Sequence, residues 1–101
     1  MAVSVRDNAD KSRYEVEVDG ELAGFVDCRL HGAVAALTHT EVLAGFEGRG
    51  LASQLIRQTL DDARTRGWAV QPFCSFVRDY VVKHPDYADL VRPADRKRFD
   101  L

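Results

Sequence analysis

The sequence predicts one α/β (α+β) domain over residues 1–101: a mixed, mainly antiparallel sheet with two helices, in the order β-β-β-α-β-α. Three observations carry this expectation. Apolar and polar residues alternate with period two through the first part of the chain, the pattern of half-buried strands. After a glycine-bearing segment the period becomes helical, and a strand-like run and a second helical run follow. The length of 101 residues, with 46% hydrophobic and 30% charged residues, suits one core and is too short for two domains.

The elements read in order as follows. Residues 1–11 are polar and irregular and are expected to form a loosely held terminus. Tyr14, Val16 and Val18 then alternate with Glu15, Glu17 and Asp19 as a strand. Asp19-Gly20 suits a tight hairpin, because both central positions want positive φ. The return strand is Glu21 to Leu30, in which Gly24 marks a bulge or a weak point. His31-Gly32 turns the chain into a third strand, Ala33–Val42. Beyond Leu43–Gly50, Leu51, Ala52, Leu55, Ile56, Leu60 and Ala63 fall on one helical face, and Gly67 ends that helix. A short strand from Trp68 to Phe73 is broken by Pro72. Ser75 is the expected N-cap of a second helix, on which Phe76, Val77, Tyr80, Val81 and His84 line one stripe until Pro85 stops it. Trp68 and Phe76 are expected in the core, and the charged residues 92–101 as a surface tail. A helix joining two strands of one sheet implies that those strands are parallel.

Composition excludes several classes of function. The net charge of −2 gives no basic field for nucleic acid or anionic lipid. Cys28 and Cys74 form no Cys-x-x-Cys pair, and His31, His39 and His84 do not stand at ligand spacing, so no metal is expected. Two free thiols suit a reducing compartment. The first residues lack the apolar core of a signal peptide, and no run of ~18 apolar residues occurs, so a cytoplasmic location without a membrane partner is expected.

The segment Thr40–Ala52, TEVLAGFEGRGLA, carries the chemistry. It runs from a strand, through a loop holding Gly45, Gly48 and Gly50, directly into a helix. Glycines let backbone N–H groups converge on a concavity, and a helix start adds unpaired donors and about half a positive charge. Either the segment is a pyrophosphate site, with Arg49 as an added cation, or it is a glycine-rich connection. It lacks the Gly-Lys-Ser/Thr of a P-loop, and Ser53 stands where a dinucleotide fingerprint would have its third glycine.

Glu47-Gly48-Arg49-Gly50-Leu51-Ala52 resembles the pyrophosphate signature of the GCN5-related N-acetyltransferases, Gln/Arg-x-x-Gly-x-Gly/Ala, with Gly50 and Ala52 at its last two fixed positions and Glu47 in place of Gln or Arg. The resemblance extends to the small YidJ-like subgroup of minimal acetyltransferase-like domains. It is carried by His39-Thr40-Glu41-Val42, by the Gly48–Ala52 loop, by Pro72 through Val77, and by His84 through Val91. It implies acetyl-coenzyme A as cosubstrate and an unidentified amine as acceptor. Val42, Leu43, Gly45, Gly48, Arg49, Gly50, Leu51, Ala52 and Ser53 would hold the coenzyme, and the pantetheine arm would lie where two parallel strands splay. Lys83, His84 and Tyr87 are candidates for the adenosine end.

The catalytic candidates are Cys74, Glu41 and His39. Cys74 stands where the last strand gives way to a helix, a position that raises a thiol's nucleophilicity, and would attack the thioester or line the acetyl pocket. Glu41 and His39, two apart on one strand, share a sheet face and are candidate bases. Tyr80 is offset by one from the position of the family's acid. The expected reaction is acetyl transfer to an amine, directly or through a cysteine thioester; the alternative is a non-catalytic coenzyme A-binding module, sensor or assembly subunit.

Overall fold

In a computed structural model that describes residues 2–101, the chain runs through β1 (Val3–Asn8), β2 (Arg13–Val18), β3 (Glu21–His31) and β4 (Val34–Val42). Next come α1 (Leu51–Arg66), β5 (Ala69–Pro72), α2 (Ser75–Lys83) and a short α3 (Pro93–Arg96). The five strands form one sheet in the order β1-β2-β3-β4-β5. β1 to β4 are antiparallel, while β5 joins β4 in parallel through the α1 crossover.

The turns follow from the residues. Asp19 (φ 52°) and Gly20 (φ 82°) are both left-handed and close the β2–β3 hairpin. The β2–β3 register shifts between Val16 and Glu17, so Gly24 stands beside a bulge. A Cβ at Gly24 would lie 2.6 Å from the carbonyl oxygen of Glu41, so that position holds β3 against β4 as only glycine can. Gly67 (φ 74°) ends α1, its N–H donating to the carbonyls of Ala63 and Arg64.

One sheet face packs on the helices. Strand alternation and register place Tyr14, Val16, Val18, Val26, Cys28, Leu37 and Val70 there, all buried in one cluster with Leu51, Leu55, Ile56 and Leu60 of α1 and Val77 and Val81 of α2. The opposite face carries Arg6, Glu15, Glu17, Phe25, Asp27, His39 and Glu41. Glu15 is buried on it, held by Arg13 (2.8 Å), Arg6 (3.0 Å) and Asn8 (3.3 Å). Burial pushes the Glu15 carboxyl up, but these partners outweigh it and hold the pKa below the usual carboxylate range.

Two expectations are corrected. Residues 3–8 are not a loose terminus but the edge strand β1, with Val3 opposite Val18 and Val5 opposite Val16; Met1 lies outside the described residues. Packing the two half-buried valines against the core and pairing Asp7 with Arg66 (3.0 Å) hold this strand in place. Residues 92–101 are likewise not a loose tail. α3 and the turn after it bury Asp95 and Phe99, with Arg92 bonded to Asp95 (2.9 Å) and Arg78 to the Phe99 carbonyl (3.0 Å).

Candidate functional site

β4 and β5 pair only over Val34–Leu37 and Ala69–Pro72. Pro72 has no N–H to extend the ladder, and the Phe73 N–H folds back to the Gln71 carbonyl (3.0 Å). A last bond from the Cys74 N–H to the Leu37 carbonyl (2.9 Å) closes the pairing as the chain turns into α2. β4 continues to Val42 paired with β3 alone, so a gap opens between its free edge and the start of α2. The Leu43 N–H donates to the Ala23 carbonyl (2.8 Å), which fixes the alternation of the β3–β4 ladder. The backbone groups of Thr40 and Val42 therefore face away from β3 into the gap.

The glycine loop stands at the end of this gap. Gly45, Gly48 and Gly50 have φ of 91°, 77° and 71°, and a Cβ on any of them would meet nothing within 4 Å. Their backbone therefore borders open space in a conformation that side chains disfavour. Gly50 caps α1 with no side-chain bond to the helix amides, and the first turn of α1 contains no acidic residue. The leading amides of a sixteen-residue helix thus point outward with the positive end of its dipole. Beside them lies a cleft of about 290 Å³ lined by Val42, Phe46, Glu47, Gly48, Gly50, Leu51, Ala52, Ser53 and Phe76. Ser53 and Phe76 also border a neighbouring groove of about 170 Å³ that runs past Tyr80, Lys83 and His84. Six of the nine residues expected to hold a coenzyme line the first cleft, namely Val42, Gly48, Gly50, Leu51, Ala52 and Ser53, while Gly45 stands in the loop beside it. Leu43 accepts the Phe46 N–H (3.1 Å) and shapes the turn, while the Arg49 guanidinium lies over the Phe46 ring at 5.5 Å.

The catalytic candidates divide between the two faces of the sheet. Cys74, rather than the expected Ser75, is the N-cap of α2. Its thiol meets the Thr40 hydroxyl at 3.2 Å, and Thr40 lies opposite the buried Val26, on the helix-bearing face. His39 and Glu41 share the outer face, where His39 stands 6.0 Å from the Phe25 ring. β4 separates Cys74 from the other two, because Thr40, which touches Cys74, and its neighbours His39 and Glu41 point to opposite sides of the strand. Tyr80 is buried against the core and stacked on His84 at 4.0 Å, and burial pushes its phenol up. Tyr87 donates to Asp61 (2.7 Å), a bond that leads burial in raising its pKa to about 12. Cys28 is buried, which pushes its thiol up to about 11.

Sequence reasoning missed two walls of the cleft. Phe76, expected in the core, is 38% exposed and faces the cleft, because it precedes the buried Val77 at the helix start. Phe46 is the other, and its signal was an aromatic residue standing alone in a glycine loop. Trp68 is half-buried against the core with Arg66 over its ring at 4.8 Å.

Parted parallel strands beside a glycine-lined helix start, in a mainly antiparallel sheet, define an acetyltransferase-type fold. The same fold occurs in the solution structure of a GCN5-like protein from Staphylococcus aureus, matched over 88% of this chain and 87% of that one with a TM-score of 0.67 at 16% identity. A profile of the GCN5-related N-acetyl-transferase family matches residues 13–90, and the chain belongs to that family. A partial likeness links it to a ribosomal-protein-alanine N-acetyltransferase from Brucella melitensis biovar Abortus 2308, at 28% identity over 57% of this chain and 46% of that one, with a TM-score of 0.48. Another is to an aminoglycoside acetyltransferase from an uncultured soil metagenomic sample, at 16% identity over 90% and 68% of the two chains, with a TM-score of 0.48. No curated protein matches the sequence. No helix among the described residues is long and apolar enough to cross a membrane.

Proposed function

We propose that this chain binds acetyl-coenzyme A and transfers its acetyl group to a primary amine, with Cys74 as the first acceptor of the acetyl group. The single observation that carries the reading is the start of α1 at Gly50, whose leading amides have no side-chain cap, opening on an apolar-walled cleft beside the gap between β4 and α2. A pyrophosphate on the loop and α1 amides would leave the pantetheine arm to follow the free edge of β4, whose Thr40 and Val42 backbone groups match its amides. The thioester then comes to rest at the far end of that edge, by Cys74.

Cys74 is preferred over the other candidates because its thiol shares the helix-bearing side with the cleft, whereas Glu41 and His39 face outward. The first step exchanges one thioester for another. The Cys74 sulfur adds to the acetyl carbonyl, the bond to the coenzyme sulfur breaks, and the thiol proton ends on that sulfur. In the second step an amine attacks the acetyl-cysteine, the carbon–sulfur bond breaks, and a proton from the amine restores the thiol. Glu41 or His39 would serve the amine only if it arrived through the gap from the outer face. The test is incubation with acetyl-coenzyme A followed by intact-mass spectrometry. The expected result is one acetyl group on the chain, localised to Cys74 and absent in Cys74→Ala. Full amine acetylation by Cys74→Ala would refute the cysteine route.

A second reading, a coenzyme A-binding module without transferase activity, is favoured by the separation of the base candidates from Cys74 and by the burial of Tyr80. It predicts tight coenzyme binding with no acetyl-cysteine and no acetylation of any amine in a panel of lysine peptides, polyamines and aminoglycosides.

A further inference from the structure

We infer that Glu47 is a built-in occupant of the anion cradle, and that coenzyme A must displace its carboxylate to bind. The inference rests on the coenzyme reading above and concerns how tightly that site holds its ligand. Glu47 Oε2 accepts the Gly45 N–H at 3.0 Å, so the side chain folds back across its own glycine loop, while Glu47 itself lines the cleft at the start of α1. Glu47 is the charged residue among those lining the cleft, and it is an acid. The loop's cation is turned elsewhere: the Arg49 guanidinium lies over the Phe46 ring. An amide cradle thus carries an anion of its own, while the opposite charge stands aside on an aromatic face.

The consequence is quantitative. A carboxylate lining the same solvent-exposed cleft as a doubly charged pyrophosphate weakens its binding by about tenfold. The same carboxylate ties the loop to itself through Gly45, so its departure accompanies ligand entry and its return favours release. In a transferase, this exchange speeds the loss of coenzyme A after the acetyl group has gone.

Isothermal titration of coenzyme A into the intact chain tests this with Glu47→Gln and Glu47→Ala. Glutamine keeps an oxygen that can accept the Gly45 N–H but removes the charge, whereas alanine removes both. Both variants are expected to bind about tenfold tighter at low salt, with Glu47→Ala at least as tight as Glu47→Gln, and the gain should shrink as salt is raised. Wild-type binding with equal or weaker binding by both variants would overturn the inference and leave the coenzyme reading standing. A gain that does not respond to salt would also overturn it. No binding by any of the three proteins would overturn the coenzyme reading itself, and this inference with it.

Discussion

Replacing Gly24 with alanine probes the contact that sets β3 against β4, and so the strand that borders the gap. A Cβ at this position would lie 2.6 Å from the Glu41 carbonyl oxygen and 3.3 Å from both the Val42 Cα and the Val16 Cγ1. Two of these neighbours are backbone atoms that no rotamer change can move. Gly→Ala inside a strand ordinarily stabilises by roughly 0.5–1 kcal/mol, because glycine loses more freedom on folding. Overpacking a core opposes this with about 1–3 kcal/mol, and a clash against backbone falls at the upper end. The expected net loss is about 2 kcal/mol, a fall in Tm of about 8–16 °C for a domain of this size. Gly32→Ala is the control. Its φ is 62° and nothing lies within 4 Å of the added Cβ, so only the left-handed penalty of about 1 kcal/mol applies. Thermal unfolding by circular dichroism reads both variants. Gly24→Ala should be the less stable of the two and should bind coenzyme A more weakly than wild type. A Gly24→Ala protein as stable as wild type would refute the register and the close approach on which the gap depends.

Two further outcomes follow from the titrating groups. Burial raises the Glu15 pKa, but its bonds to Arg13, Asn8 and Arg6 prevail, so the folded pKa lies below the unfolded one. Stability from such a group is present above the unfolded value, about 4.3, and is lost as pH falls through the folded value. Urea midpoints of wild type should therefore exceed those of Glu15→Gln at neutral pH and converge with them in acid; a difference unchanged in acid would contradict the ion-pair account. Thiol labelling at mildly alkaline pH should modify Cys74 and spare Cys28, which is buried with a pKa of about 11, until denaturant exposes both. Rapid labelling of Cys28 in the native chain would contradict its burial.

Much of the architecture was legible because local patterns and tertiary demands agree. Tyr14, Val16 and Val18 alternate and are buried, Asp19 and Gly20 adopt the predicted positive φ, and the apolar stripe of α1 is its buried face. β1 was missed because its alternation rests on two valines, Val3 and Val5, before polar residues resume. Edge pairing with β2 supplies the rest of its stability, and pairing is not written in the strand itself. The closing residues were misread for a similar reason, since Phe99 stands alone among charges that pair locally, such as Arg92 with Asp95.

The site was legible by parts. The glycine loop shows in its sequence because positive φ demands glycine at Gly45, Gly48 and Gly50. The division of Cys74 from His39 and Glu41 does not. It depends on which face of β4 the α2 cap meets, and the parallel pairing through the crossover and the register shift between Asp27 and Cys28 determine that. Thr40, the residue that touches Cys74, stands between the two expected bases and on the other side of the strand.

The central claim is that the α1 cradle binds the pyrophosphate of acetyl-coenzyme A. Titration of the purified chain with coenzyme A and acetyl-coenzyme A tests it most directly, with Gly50→Glu as control and unfolding checked for both proteins. Gly50 has a φ of 71°, so glutamate there strains the cap and places an anion where the phosphates would lie. The account predicts micromolar binding by the wild type, lost in a folded Gly50→Glu. Wild-type protein that ignores millimolar coenzyme, or a Gly50→Glu variant that binds as tightly as wild type, would contradict it.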